Sequence, residues 1–132
     1  AGRHRIETGG EEKMSDNNLQ RFHVGPRLSE AAVFNGVVYL AGMVPERGDT
    51  DIRGQTQDVL AQIDQRLAEC GSDKTRLLRV QIYLSDIREI GAMNEVWDAW
   101  VAPGHTPPRA TVQAALGNPD WKIEVIATAA QA

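Results

Sequence analysis

Pro107-Pro108-Arg109-Ala110-Thr111-Val112-Gln113-Ala114 is followed, after Leu116-Gly117-Asn118-Pro119-Asp120, by Trp121-Lys122-Ile123-Glu124-Val125-Ile126-Ala127. The reading of this stretch decides the fold. Polar and apolar residues alternate in both runs, the pattern of two half-buried strands. The segment between them has turn composition, so the runs read as a hairpin with a loop at about residues 115–118. In that register Arg109 stands directly opposite Glu124. Ala110, Val112, Ala114, Ile123, Val125 and Ala127 make one small apolar face, and Arg109, Thr111, Gln113, Lys122 and Glu124 make the other. Two readings of the pair stay open. It is a cross-strand ion pair that fixes register, or a site where the guanidinium holds an anion and the carboxylate handles a proton or water.

Working back along the chain, residues 77–84 alternate cleanly, with Leu78, Val80, Ile82 and Leu84 on one face, and predict a strand. Asp86 and Glu89 stand at the spacing of a capping box. Ile90, Met93, Trp97 and Trp100 behind them form the inward stripe of a helix, with both tryptophans read as packing. Residues 51–70 carry Val59, Leu60, Ile63 and Leu67 at helical spacing, with Gln55, Asp58, Gln62 and Gln65 off the stripe and Gly71 at the C-terminal stop. Residues 31–34 and 37–41 are apolar runs around Asn35-Gly36, the signature of a type I′ hairpin. Residues 19–24 are a further strand. The order is β-β-β-α-β-α-β-β, an α+β domain with two helices on one face of the sheet. The apolar parts of the uncovered face need a partner, and the simplest is another copy of the chain.

The 132 residues carry 42% hydrophobic and 24% charged side chains, enough for one domain with a real core. A net charge of −4 argues against a dedicated nucleic-acid or anionic-membrane binder. No apolar run approaches the ~20 residues of a membrane span. The single cysteine, Cys70, falls at a helix C-terminus, where the dipole disfavours a thiolate, so it reads as a packed thiol in a reducing, cytoplasmic setting. Residues 1–18 are polar and glycine-rich and are expected to be disordered, or a leader added to or cleaved from a chain starting near Met14. Residues 19–132 form the domain.

The three histidines, His4, His23 and His105, have no metal-site spacing, and there is no phosphate loop, dinucleotide fingerprint or nucleophile elbow. His105 reads as an exposed loop residue or as a second lining of the Arg109 pocket. Residues 21–42, Gln55-Thr56 with Val59-Leu60 and Ile63, Asn94 with Trp97, residues 108–114 and residues 119–127 together resemble the Rid (YjgF-like) reactive-intermediate deaminases, some of which are labelled L-PSP endoribonucleases. The resemblance covers about residues 20–130. Its most specific part is an Arg before the penultimate strand with a Glu in the last, here Arg109 and Glu124.

That resemblance implies a chorismate-mutase-like fold and a homotrimer with pockets between subunits. It implies hydrolysis of 2-imino or 2-enamino acids, such as 2-aminoacrylate and 2-iminopropionate, to 2-keto acids and ammonia without metal or organic cofactor. Arg109 would anchor the substrate carboxylate bidentately and Glu124 would activate water. Asn94, Thr111, Leu28, Ala41 and Gly42 match positions that line the pocket. Three of these differ from the common pattern: Leu28 near an expected Tyr, Ala41 for Ser and Thr111 for Cys. A non-catalytic module that binds a small carboxylate is the alternative. An endoribonuclease is a third reading, opposed by the acidic charge and the lack of a histidine pair.

Overall fold

A computed structural model describes residues 12–14, without their side chains, and residues 18–132. Seven strands and two helices follow one another as β1 (Glu12–Met14), β2 (Gln20–Val24), β3 (Ser29–Phe34), β4 (Val37–Leu40), α1 (Ile52–Glu69), β5 (Leu77–Leu84), α2 (Ile90–Trp100), β6 (Arg109–Gln113) and β7 (Ile123–Ala130). They build one mixed sheet in the order β1-β2-β3-β4-β7-β5-β6. Both helices lie on the same face. The result is the expected α+β, chorismate-mutase-like architecture. It has one strand more than expected, because Glu12–Met14, inside the stretch read as leader, pairs with β2. The rest of that stretch, His4 included, lies outside the described residues apart from Asn18.

Local signals fall where the sequence puts them. Asn35 and Gly36 take φ of 52° and 77°, the left-handed pair that a type I′ turn between β3 and β4 requires. Asp51 caps α1 by accepting from the Gly54 N–H at 2.9 Å. Val59, Leu60, Ile63 and Leu67 are all at most 1% exposed. Each contributes about 1.5–3 kcal/mol by leaving water. They meet Val80, Ile82 and Leu84 of β5 and Ile123, Val125, Ala127 and Ala129 of β7 in one core. The capping box closes only halfway. Asp86 accepts from the Arg88 N–H and starts a 3-10 turn over Ile87–Glu89. Glu89 then precedes α2 without a side-chain cap of its own.

The expected hairpin does not form. β5 lies between β6 and β7, parallel to the first and antiparallel to the second. Two constraints displace the hairpin. A strand-helix-strand unit, β5-α2-β6, brings its strands together in parallel. The apolar face of β5 also claims the sheet interior, which leaves the short strand entered through Pro107-Pro108 at the edge, where proline is tolerated.

Gln55 departs most from its sequence reading. It lies off the apolar stripe yet is 0% exposed. Its amide donates to the Asp120 carbonyl at 2.9 Å and accepts from the Lys122 N–H at 2.7 Å, tying α1 to the entry of β7. Replacing it leaves those backbone groups without partners, at about 1–3 kcal/mol each. Gln55→Leu is therefore expected to lose about 2–3 kcal/mol in urea denaturation. Gln65→Leu, on the exposed side of the same helix, should change stability by less than about 0.5 kcal/mol.

Candidate functional site

The seven residues singled out from sequence fall into two groups, and the sheet keeps them apart. In the parallel ladder Arg109 aligns with Val80 and Thr111 with Ile82, so both point to the helix side of β6. In the antiparallel ladder Glu124 aligns with Tyr83, which points to the open side. Arg109 and Glu124 are thus on opposite faces. Two strand steps of about 4.8 Å and three residues of about 3.3 Å put their Cα atoms roughly 14 Å apart. The directly opposed pair drawn from the hairpin register is overturned, and with it the register-fixing ion pair. The face assignment for β6 is also reversed: Ala110 and Val112 lie on the open side, away from Ile123 and Val125.

The first group surrounds Arg109. Its guanidinium carbon stands 5.1 Å from the centre of the Trp97 ring. Among the described residues no side chain forms an ion pair or hydrogen bond with it. Partial burial lowers its pKa, and the Asp98 charge offsets this only in part. An arginine so placed stays charged. Asn94, one helical turn before Trp97 on α2, has its Oδ1 buried without a partner, and so does the Thr111 Oγ1. Buried polar atoms left unpaired cost about 1–3 kcal/mol each. Such atoms on α2 and β6, the two elements that hold the unpaired cation, mark a surface still short of a partner.

The second group surrounds Glu124. A Cβ at position 42 would collide with the Glu124 Oε2, so the carboxylate rests directly on the glycine backbone. Gly42 also lines a cleft of about 310 Å³ with Leu28, Glu30, Ala41, Met43, Val44, Pro45, Glu46 and Gln62. Leu28, 54% exposed, leaves its apolar side chain open at that cleft. Beyond Glu124, the open face presents Phe34, Tyr39 and Val112, which are 37%, 50% and 44% exposed.

Cys70, His23 and His105 join neither cluster. Cys70 is buried, and burial with the neighbouring Glu69 charge pushes its thiol up to about 12, as befits a packed residue. His23 is held by Glu69 at 2.8 Å, and His105 lies exposed in the loop after α2. Among the described residues no group of three or more His, Cys, Asp and Glu side chains is placed to hold a metal. No helix there is long and apolar enough to cross a membrane. Sequence reasoning missed two participants. Trp97 was assigned to packing, although its place three residues after Asn94 puts both on one side of α2. Gln55 sets where β7 begins, one residue after its Lys122 contact and one before Glu124.

Residues 19–131 match the family model described as Endoribonuclease L-PSP. A "RutC family protein" of Haemophilus ducreyi is 46% identical over 112 residues, covering 85% of this chain and 96% of that one. The crystal structure of NMB1025 from Neisseria meningitidis, described as a member of the YjgF protein family, is similar at 51% identity and a TM-score of 0.85. It covers 89% of this chain and 98% of its own. A chloroplastic protein of Arabidopsis thaliana named Reactive Intermediate Deaminase A is 30% identical over 108 residues, 77% of this chain and 57% of that protein.

The contact between Glu124 and Gly42 is directly testable. A methyl group on residue 42 must push the carboxylate away, while the flexible glutamate side chain absorbs the clash. Gly42→Ala is expected to keep its fold, losing less than about 2 kcal/mol. A crystal structure of the variant should show Glu124 swung off the β4 loop.

Proposed function

For a chain that belongs to the Endoribonuclease L-PSP family, with its RutC- and YjgF-named relatives, we propose hydrolysis of reactive 2-imino and 2-enamino acids to 2-keto acids and ammonia. The observation that carries this reading is the half-buried, unpaired Arg109 guanidinium at the sheet edge. It is a fork of donors fit for a planar carboxylate. Glu124 cannot reach that carboxylate within its own chain, so the complete pocket takes Arg109, Thr111 and Asn94 from one copy and Glu124, Gly42, Ala41 and Leu28 from another. The exposed apolar residues of the open sheet face supply a surface on which copies can meet, and the assembly is a homotrimer.

The chemistry asks little of the protein. A protonated imine is already electrophilic at C2, and an enamine becomes one when C3 takes a proton. Bound through its carboxylate, the iminium presents C2 to a water held by Glu124. The water oxygen bonds to C2, one of its protons passes to the Glu124 carboxylate, and a tetrahedral amino alcohol forms. Glu124 returns the proton to the amine nitrogen. The C–N bond then breaks, the hydroxyl proton leaves as C=O forms, and ammonia and the keto acid depart. No redox change occurs, and no further reactant is consumed. This activity suits a cytoplasmic protein acting where such intermediates are generated.

RNA cleavage finds less support. The chain carries a net charge of −4, His23 is engaged by Glu69, and His105 stands in an exposed loop.

The test follows keto-acid release while a dehydratase generates 2-aminoacrylate, with the protein expected to sediment at three times its 14.5 kDa chain mass. The protein should accelerate release. Arg109→Ala should lower kcat/KM by about 10²–10³-fold, chiefly through KM. Glu124→Gln should lower kcat by about 10²–10³-fold with a smaller change in KM. Saturable pyruvate binding without any acceleration would leave a carboxylate-binding module instead.

A further inference from the structure

We propose that Trp97 is a positioning residue for the carboxylate anchor: its ring, wedged against Trp100, holds the unpaired Arg109 guanidinium in place while leaving the donors free for a substrate carboxylate. This rests on the reading of Arg109 as that anchor.

An arginine on an edge strand has a long, flexible stem, and immobilising it costs about 2 kcal/mol of rotamer entropy. A neighbouring carboxylate is the usual device for holding such a group. Here it would defeat the purpose, because it would occupy the same N–H donors and offset the same charge that the substrate needs. The negative face of an aromatic ring attracts the cation without accepting its in-plane hydrogen bonds. At 5.1 Å from guanidinium carbon to ring centre, the Arg109–Trp97 contact has that geometry. No ion pair or hydrogen bond among the described residues competes for the group.

The ring is itself restrained. Trp97 is 6% exposed, and its ring centre lies 5.4 Å from that of Trp100, with the planes tilted by 48°. The Trp100 indole N–H donates to the Asp64 carboxylate on α1 at 2.9 Å. The Lys74 ammonium stands 5.0 Å from the Trp100 ring centre. A continuous set of contacts therefore runs from Asp64 on α1, through the two indoles of α2, to the guanidinium on β6. Simple core filling explains why Trp97 is buried. It does not explain why a guanidinium that bonds no carboxylate, with the Asp98 charge acting on it only at a distance, sits over its ring.

Two readouts separate positioning from packing. In the free, unmodified protein, the Arg109 Nε–Hε signal is assigned by its loss in Arg109→Lys. Ring current from Trp97 should place it upfield of the other arginine signals, and Trp97→Leu should return it to their range. In binding and kinetics, Trp97→Leu should raise the pyruvate Kd and the imino-acid KM about tenfold while kcat changes by less than about threefold. Trp97→Phe, which keeps a ring face, should stay within about threefold of the unmodified protein on all three. If Trp97→Leu does not fold, the signal position in the unmodified protein and the Trp97→Phe binding decide the matter. An unshifted Arg109 signal overturns the proposal whatever the activity. So does pyruvate binding by a folded Trp97→Leu as tight as the unmodified protein's, or no pyruvate binding by the unmodified protein. Pyruvate binding that weakens in Trp97→Leu, without turnover of any imino acid, upholds the positioning role and rejects the deaminase reading instead.

Discussion

The backbone ladder between β5 and β7 joins two parts of the sheet that would otherwise be linked only through loops and helices. Leu77 to Leu84 runs antiparallel to Ile123 to Ala129, with one irregularity at Leu78. Core-facing side chains from both strands are sealed beneath α1 and α2. With β7 taken up by β4 on one side and β5 on the other, β6 can join only at the far edge of β5. That single placement decides which side of the sheet each functional candidate faces. It sends Arg109 and Thr111 toward α2 and leaves Glu124 on the open face against Gly42.

Two incomplete surfaces in one chain carry an energetic signature. One holds a cation that no carboxylate bonds, on elements that also carry two buried polar atoms with no hydrogen-bond partner. The other holds a carboxylate pressed onto a glycine beside an open cleft. A folded monomer gains nothing from keeping such groups unpaired, since each lowers stability relative to a paired or apolar alternative. They make sense if the missing partners arrive from outside the chain, as the substrate and as the second face of another copy. The aromatic support under Arg109 fits the same logic, because it restrains the cation without satisfying it.

Much of the fold is legible in the sequence because it is encoded locally. The Asn35-Gly36 turn, the stripe of α1, the alternation of β5 from Val80 onward and the cap at Asp86 each depend on neighbours within a few residues; the irregularity between Leu77 and Arg79 instead buries Leu77 and leaves Leu78, read as inward, 47% exposed. Strand pairing does not. The alternation in residues 109–114 and 121–127 says that both runs are strands but not which strand each adjoins. Closeness in sequence suggested a hairpin, whereas the helix between β5 and β6 was the cue to a parallel pair. Gln55 was illegible for a related reason: a polar residue off the apolar stripe reads as solvated, and only the returning chain at Asp120 and Lys122 explains its burial. Arg109 and Glu124 stand out in the alternation of the two runs, whereas Asn94, Thr111, Leu28, Ala41 and Gly42 are named only by the family resemblance. Their division into two groups came only with the topology.

The central claim is that a working pocket combines Arg109 of one copy with Glu124 of another. Mixing two inactive variants tests it most directly. Arg109→Ala and Glu124→Gln, denatured together at equal concentration and refolded, would assemble at random. If the pocket spans two copies, about a quarter of pockets then receive both native groups, and activity should recover to about a quarter of the unmodified level. A mixture as inactive as either variant alone, with mixed assemblies verified by mass spectrometry, would contradict the claim.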